Sequence, residues 1–405
     1  MSDSTFICRV VLKNYKSIAA CDVQLHPLTF LVGPNGAGKS NFLDALRLVA
    51  DSLNTSLDHA LRDRGGIKEV RRRSTGHPTH FGVRLEFRLQ GGIEGFYAFR
   101  VGARPQGGFE VQNEECRLRN YGDFLAAETF YQVKNGQVIG SSAKSPPAAA
   151  SDRLYLVNAS GLAEFRPLYE SLSHMGFYNL NPDRIRDLQP PDAGDVLLRD
   201  GSNLASVLGQ LEQSAPQTKR RIEEYLSKVV AGVSGVGARQ IGPKETLEFR
   251  QQVGAAEHPS RFFASNMSDG TLRAVGVLVA IFQSTNGHRQ RVPLVGIEEP
   301  EVALHPAAAG VLRDCLRDAS RSSQVVVTSH SPDLLDDEDI PDDSILPVIC
   351  DDGQTRLGPL DQAGRSLLRD RLYTPGELMR LNQLIPDPEA TTKAQHGQRE
   401  LFGED

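Results

Sequence analysis

The sequence has 405 residues, 39% of them hydrophobic and 24% charged, enough apolar content to bury a sizeable core over two or three domains. Five scattered cysteines without a CxxC pair argue against a disulfide framework or zinc site and suit a cytoplasmic protein. No stretch reaches the roughly 18 apolar residues of a membrane span, and the N-terminus lacks a signal peptide's apolar core. The net charge of −6 excludes an indiscriminately basic nucleic-acid coat. It averages two unlike parts, however: residues 1–260 carry 31 Lys and Arg against 28 Asp and Glu, and residues 261–405 carry 14 against 23.

In chain order, FICRVVL (6–12), ACDVQLH (20–26) and LTFLV (28–32) are short apolar runs separated by polar turns, and read as strands. A glycine-rich break at 33–40 precedes NFLDALRLVADSL (41–53), whose apolar residues recur at helical spacing. Residues 81–89 and 95–101 predict a hairpin across a Gly-rich turn, and SSAKSPPAAA (141–150) a surface loop or linker. From 160 to 235 the pattern is mostly helical, clearest at 202–211 and 219–230, without sustained heptads. Then follow a helix (271–283), a strand (293–297), a helix (306–319) and a strand (324–328), a βαβ order that predicts a largely parallel, layered core. The chain closes on SILPVIC (344–350) and GQTRLGPL (353–360), read as a terminal hairpin.

GPNGAGKS at 33–40 fits G-x-x-x-x-G-K-[ST] between a strand and a helix. Glycines 33, 36 and 38 let backbone N–H groups close around phosphates, and the helix N-terminus adds unpaired donors. Lys39 supplies a charge to the β- and γ-phosphates, and the Ser40 hydroxyl suits Mg²⁺. The expected nucleotide cradle is therefore Gly33, Asn35, Gly36, Ala37, Gly38, Lys39, Ser40 and Asn41, with ATP and Mg²⁺ as cofactors.

PLVGIEEPE (293–301) is a buried strand ending in two carboxylates. Alone it reads equally as a solvated edge. Beside a P-loop, Glu298 suits the metal, through water, and Glu299 the general base that polarises attacking water. QVVVTSHSP (324–332) is a second buried strand, ending in His330. A lone histidine there is commonly structural, but one βαβ unit separates it from the carboxylates, so both strand ends open onto one sheet edge and His330 can reach the γ-phosphate or the water. In NMSDGTLR (266–273), Ser268, Asp269 and Gly270 precede an apolar helix, either as a plain N-cap or as a helix start that meets a γ-phosphate from a second subunit.

In this order the four motifs resemble an ABC-class ATPase head of the SMC/RecF-like group, and more closely the OLD-like AAA-family ATPases of bacterial genome maintenance and phage defence. MSDGTLR matches the signature loop, EEPEVALHP the Walker B and D-loop, and TSHSP the H-loop; the motifs cover about 1–50 and 262–335. The resemblance implies an α/β P-loop NTPase fold of ABC-ATPase type, a mixed β-sheet core with helices and an inserted helical/β lobe. It further implies a homodimer or higher assembly that sandwiches two ATP molecules between one subunit's P-loop and the other's Ser268–Gly270 loop. Tyr15 to Ser17 would lie near the adenine, with Tyr15 equally open to plain core packing. MSDGT and Glu-Glu-Pro-Glu depart from the LSGGQ and Asp-Glu-Pro of transporters. The Q-loop glutamine has two candidates without a motif, Gln90 and Gln189.

The expected organisation is an ATPase head in two parts, 1–90 and 261–365, around an inserted β-hairpin/helical lobe (91–260), with a helical tail (366–405) whose end is disordered. The acidic run LDDEDIPDD (335–343), with Asp351 and Asp352 beyond it, reads as a solvated loop before the terminal hairpin rather than as nuclease ligands, so a nuclease would be a separate effector subunit and no Toprim domain is expected. For DNA the candidate is RDRGGIKEVRRR (62–73), a basic arm with Arg71, Arg72 and Arg73 on backbone phosphates, or else a solvated face. The expected function is an ATP-hydrolysing clamp or signal on DNA in repair or anti-phage defence. The alternative is an ATP-switch scaffold that regulates an effector without touching DNA. No membrane partner is expected.

Overall fold

The computed structural model of the chain describes residues 6–73, 78–120, 128–254, 258–283, 292–396 and 401–402. The chain opens with β1 (Ile7–Tyr15), β2 (Ile18–Gln24) and β3 (Leu28–Val32), and α1 (Lys39–Asn54) follows the loop after β3. Short helices α2 (Leu57–Arg62) and α3 (Ile67–Val70) lead into a meander of β4 (His80–Leu89), β5 (Ile93–Ala103), β6 (Phe109–Asn120), β7 (Thr129–Lys134) and β8 (Gln137–Ser141). Next come α4 (Leu156–Ala159), α5 (Arg166–Ser173), β9 (Gly176–Tyr178), α6 (Pro182–Arg186), α7 (Leu204–Ser214) and α8 (Pro216–Val229). β10 (Val233–Ile241), β11 (Lys244–Gln251) and β12 (Ser260–Phe263) form a small antiparallel sheet. α9 (Asp269–Phe282), β13 (Leu294–Glu298), α10 (Ala309–Ala319), β14 (Gln324–Ser329), β15 (Ile345–Asp351) and β16 (Gln354–Leu357) return the chain to the main sheet. Helices α11 (Gln362–Arg369), α12 (Pro375–Arg380) and α13 (Pro388–His396) end it.

Among the described residues the main sheet has 13 strands in the order β8-β7-β6-β5-β4-β1-β2-β16-β15-β3-β14-β13-β9. The five from β15 to β9 are parallel. Their near-continuous apolar sequences follow from burial on both faces. Alternation assigns each residue to a face: Leu31, Leu294 and Val326 pack with Phe42, Leu46 and Val49 of α1, whereas Phe30, Val32, Val295, Ile297, Val325 and Val327 pack with α9 and α10. The fully buried Gln324 pins the N-terminus to this core. Its carbonyl oxygen accepts from the N–H groups of Phe6 and Ile7, and its amide donates to the carbonyls of Ile7 and His26.

The mixed-sheet α/β architecture agrees with the sequence reading. Four details differ. The stretch 160–235 also contains β9, too short for periodicity to reveal, and β9 is the outermost parallel strand. The boundary expected at 90 falls in the turn between β4 and β5, which pair from His80↔Gly102 to Leu89↔Ile93, so the expected lobe begins inside the main sheet. β15 and β16 pair as the expected hairpin but are not peripheral: β15 lies beside β3 and β16 beside β2, joining the two parts of the main sheet. Finally, the tail docks. Lys13 Nζ donates to the Ala394 carbonyl and Arg84 to that of Leu401 at 3.3 Å, and Leu401 is buried over Gly82. The apolar Leu401 thus holds part of a tail end expected to be disordered; residues 397–400 and 403–405 lie outside the described residues.

Candidate active site

Parallel pairing brings the C-terminal ends of β3, β14 and β13 to one edge, where the three crossover loops carry chemistry. The P-loop follows β3. Gly38 has φ 103°, and a Cβ there would sit 2.0 Å from Thr355 Oγ1, so only glycine fits. Pro34, Asn35, Gly36 and Ser40 are exposed, while Ala37 and Lys39 are buried and Asn41 half-buried. Lys39, 5% exposed, donates from Nζ to the carbonyls of Gly33 (2.8 Å) and Pro34 (3.0 Å). Burial lowers its pKa, against the opposing charges of Glu299 and Glu301.

The loop is held by a chain of hydrogen bonds. Thr355 Oγ1 donates to the Ala37 carbonyl (2.8 Å) and lies 2.7 Å from Ser17 Oγ, which accepts from Asn41 Nδ2 (2.6 Å). A hydroxyl has one proton, so Ser17 must donate to Thr355 and the chain runs Asn41, Ser17, Thr355, Ala37. Ser17 therefore serves the P-loop. Tyr15 is core, fully buried with its hydroxyl donating to Asp44 Oδ2 at 2.8 Å.

Glu298 ends β13, and Arg199 Nη2 donates to its Oε1 at 2.8 Å. Glu298, Ser40, Asn41, Lys16 and Arg199 line one cleft of about 250 Å³ between α1 and the edge of the sheet. Among the described residues no cluster of three or more His, Cys, Asp or Glu side chains forms a metal site of its own. Ser40 and Glu298 fit a cation that completes its oxygen shell from phosphates and water.

Glu299 stands in the left-handed region at φ 45°, a conformation that costs a non-glycine residue about 1–2 kcal/mol. Its N–H donates to Thr328 O (3.0 Å) and to Oγ1 (3.2 Å), which fixes the strained turn to β14. His330 follows β14, with Nδ1 3.2 Å from Glu299 Oε1 but off the hydrogen-bonding direction. Glu301 supports the His330 segment: its Oε1 accepts from Ser329 Oγ (2.6 Å) and from the His330 N–H (3.3 Å).

Ser268 caps α9 by accepting from the Thr271 N–H, and Ser268 and Asp269 are exposed. Asp269 is ion-paired to Arg186. Gly270 is required by contact, since a Cβ would lie 2.2 Å from the Ala303 carbonyl of the loop after Glu299. One turn on, Arg273 donates to the carbonyls of Glu298 (3.2 Å), Glu299 (3.1 Å) and Leu180 (3.2 Å). The signature-like loop is thus tied to the carboxylate turn.

The 62–73 segment is folded onto α1 rather than extended as an arm. The buried Arg64 pairs with Asp44 (3.0 Å) and Asp51 (2.8 Å), Arg71 donates to the Pro78 carbonyl (2.6 Å), Arg72 donates to Gln354 (3.1 Å), and the exposed Arg73 pairs with Glu69. Much of the acidic run is paired with arginines: Asp336 with Arg380, Asp337 with Arg313, Asp339 with Arg371 and Asp342 with Arg369. Gln90 lies in the exposed β4–β5 turn. Gln189 is buried, its amide donating to the carbonyls of Arg184 and Gly201 and accepting from the Ala205 N–H, so neither lines the cleft.

The sequence reading passed over Thr355, Arg199, Arg273 and Glu301. Thr355 and Arg199 sit in stretches without a motif; Arg273 and Glu301 are the last residues of the NMSDGTLR and EEPE runs already singled out.

Residues 28–336 match the family described as "AAA domain, putative AbiEii toxin, Type IV TA system". The chain belongs to this AAA-domain family. It is similar to the OLD nuclease of Thermus scotoductus (24% identical over 336 residues, 81% of this chain and 59% of that protein) and to the Old nuclease of Escherichia phage P2 (23% over 364 residues, 81% and 57%). The chain thus spans less than three-fifths of the length of these relatives. RecF of Vibrio vulnificus is 41% identical over 44 residues, 11% of this chain. In fold the chain resembles an Smc head bound to the C-winged helix domain of ScpA (TM-score 0.56, 16% identity, 89% of this chain and 99% of that one). It also resembles the Smc head of Pyrococcus furiosus (0.55, 13%, 91% and 99%). The fold is that of an ABC-type P-loop ATPase head.

Proposed function

We propose that the chain binds and hydrolyses ATP with Mg²⁺ at this edge and pairs head to head with a second copy around the nucleotide. The observation that carries the reading is convergence: the P-loop, Glu298 and Glu299, and His330 sit on neighbouring parallel strands, with the Ser268–Gly270 helix start packed against the carboxylate turn. The backbone N–H groups and Lys39 hold the phosphates. Ser40 and Glu298 would hold the cation, whose charge would offset that developing on the phosphates. Glu299 takes the proton from the attacking water, with His330 beside it. A second subunit's Ser268–Gly270 would close the site over the γ-phosphate. Steady-state phosphate release tests this directly: Lys39→Ala should lose nucleotide affinity and turnover, and unchanged ATP binding would contradict the phosphate assignment.

The similarity to OLD nucleases and RecF supports a role in DNA maintenance or phage defence; a separate nuclease or toxin subunit is the effector to test first. Two readings of the partner remain. Binding to DNA through Arg71, Arg72 and Arg73 is weakened by the internal partners of the first two. That geometry favours the second reading, an ATP switch that acts on a protein effector. A gel shift with duplex DNA over a salt series, with and without ATP, separates them. ATP-dependent retardation that is lost when the three arginines become alanine would restore the first.

A further inference from the structure

Of the side chains around the carboxylate turn, Glu301 has the least obvious reason to be charged. It is half-buried behind Pro300, its Oε2 is buried without a hydrogen-bond partner, and its negative charge bears on Lys39. A leucine or threonine would pack there without leaving a carboxylate oxygen orphaned. What the carboxylate does instead is organise the segment that carries His330. Its Oε1 accepts from the fully buried Ser329 hydroxyl at 2.6 Å and from the His330 N–H at 3.3 Å; Ser329 Oγ in turn accepts from the Ser331 N–H at 3.0 Å. The Ser329 side chain and the His330 N–H are therefore tied directly to one carboxylate, with Ser331 tied through Ser329, and that carboxylate is two residues from Glu299. The backbone of Glu299 is fixed separately, to Thr328 on the same strand as Ser329.

We infer that Glu301 is a positioning residue for hydrolysis, seating the His330 backbone so that the imidazole stays within 3.2 Å of Glu299. It touches neither nucleotide nor water in this account and acts through His330. The inference rests on the ATPase reading above and adds to it a residue that the motif match alone does not assign.

Because the contribution is to geometry at the reacting centre, it should appear in kcat and leave ATP affinity alone. Displacement of a catalytic group by about 1 Å costs on the order of 100-fold. Glu301→Ala should therefore lower kcat by roughly 30- to 100-fold with ATP affinity within about threefold. Glu301→Gln keeps an acceptor oxygen for both Ser329 and His330 and should recover turnover to within about fivefold of the parent. The decisive readout is a double-mutant cycle: in a His330→Ala background, Glu301→Ala should cost less than about twofold more, because its route is already cut.

Multiplying losses in the double variant, or a parallel loss of ATP affinity, would overturn the inference, as would full activity in Glu301→Ala. If Glu301→Ala does not fold, Ser329→Ala removes one of the two ties and should cost about 3- to 10-fold in kcat, again without effect in the His330→Ala background. Full activity of Ser329→Ala in the parent would count against the inference. Glu299→Gln, run alongside, separates the two claims. Absence of ATP turnover in the parent overturns the ATPase reading and normal turnover in Glu299→Gln removes Glu299 as the base, whereas a dead Glu299→Gln beside a fully active Glu301→Ala overturns only the role given to Glu301.

Discussion

Thr355→Val tests whether the phosphate loop depends on a strand 318 positions further along the chain. Thr355 is 1% exposed, so water cannot replace what its hydroxyl provides. Valine keeps the shape and removes the one group that both donates to the Ala37 carbonyl and accepts from Ser17. Two groups lose their partners, each worth about 1–3 kcal/mol when left buried and unpaired. The serine can rotate, so about 2 kcal/mol in all is a fair expectation. If the loop must be reordered at the expense of binding, that corresponds to up to about 30-fold in Kd for ATP. Titration calorimetry with ATP and urea unfolding followed by circular dichroism measure the two consequences. Thr355→Ser retains the hydroxyl and should restore most of the affinity. ATP binding by Thr355→Val within twofold of the parent, or by Thr355→Ser as weak as by Thr355→Val, would refute the hydrogen-bond chain as the support of the loop.

Glu114, wholly buried on β6, accepts from the hydroxyls of Tyr97 and Tyr131 and the N–H groups of Tyr155 and Leu156, yet burial outweighs these bonds and pushes its pKa up from 4.5 to about 7. The folded state then holds the extra proton between these values, so the contribution of Glu114 to stability is fully present below about 4.5 and is lost as pH rises through about 7, by at most about 1.4 kcal/mol per pH unit. Glu114→Gln should lack this slope in urea midpoints compared at pH 5.5 and pH 8; an equal slope in both proteins would contradict it. Ser268→Arg should cost about 1 kcal/mol through the lost N-cap and abolish ATP-dependent self-association in light scattering. A variant that still dimerises with ATP would break the proposed closure in trans.

Where a residue's job is set by neighbours in sequence, it was legible. The strands β1 to β3, the α1 helix, the P-loop glycines and the carboxylate pair all carry local signatures, and apolar β13 and β14 predicted a core buried on both faces. What escaped depends on contacts between distant segments. β9 is three residues long, and its place beside β13 follows from pairing alone. Thr355 has no local pattern, because its partners are Ala37 and Ser17. The run 62–73 looked like an arm because charge was counted without its counter-charges: Asp44 and Asp51, on α1, hold Arg64 in the interior. Glu301 was in plain view, but its use depends on where β14 ends.

The central claim is that Glu299 drives hydrolysis at an edge built to hold ATP. The most direct measurement is Glu299→Gln incubated with ATP and Mg²⁺, with bound nucleotide identified after rapid desalting and turnover followed by phosphate release. The account predicts stoichiometric ATP, not ADP, on an associated form of the protein, and turnover reduced by at least about 100-fold, within the range for loss of a general base. Turnover equal to that of the parent, or ADP as the retained nucleotide, would contradict it.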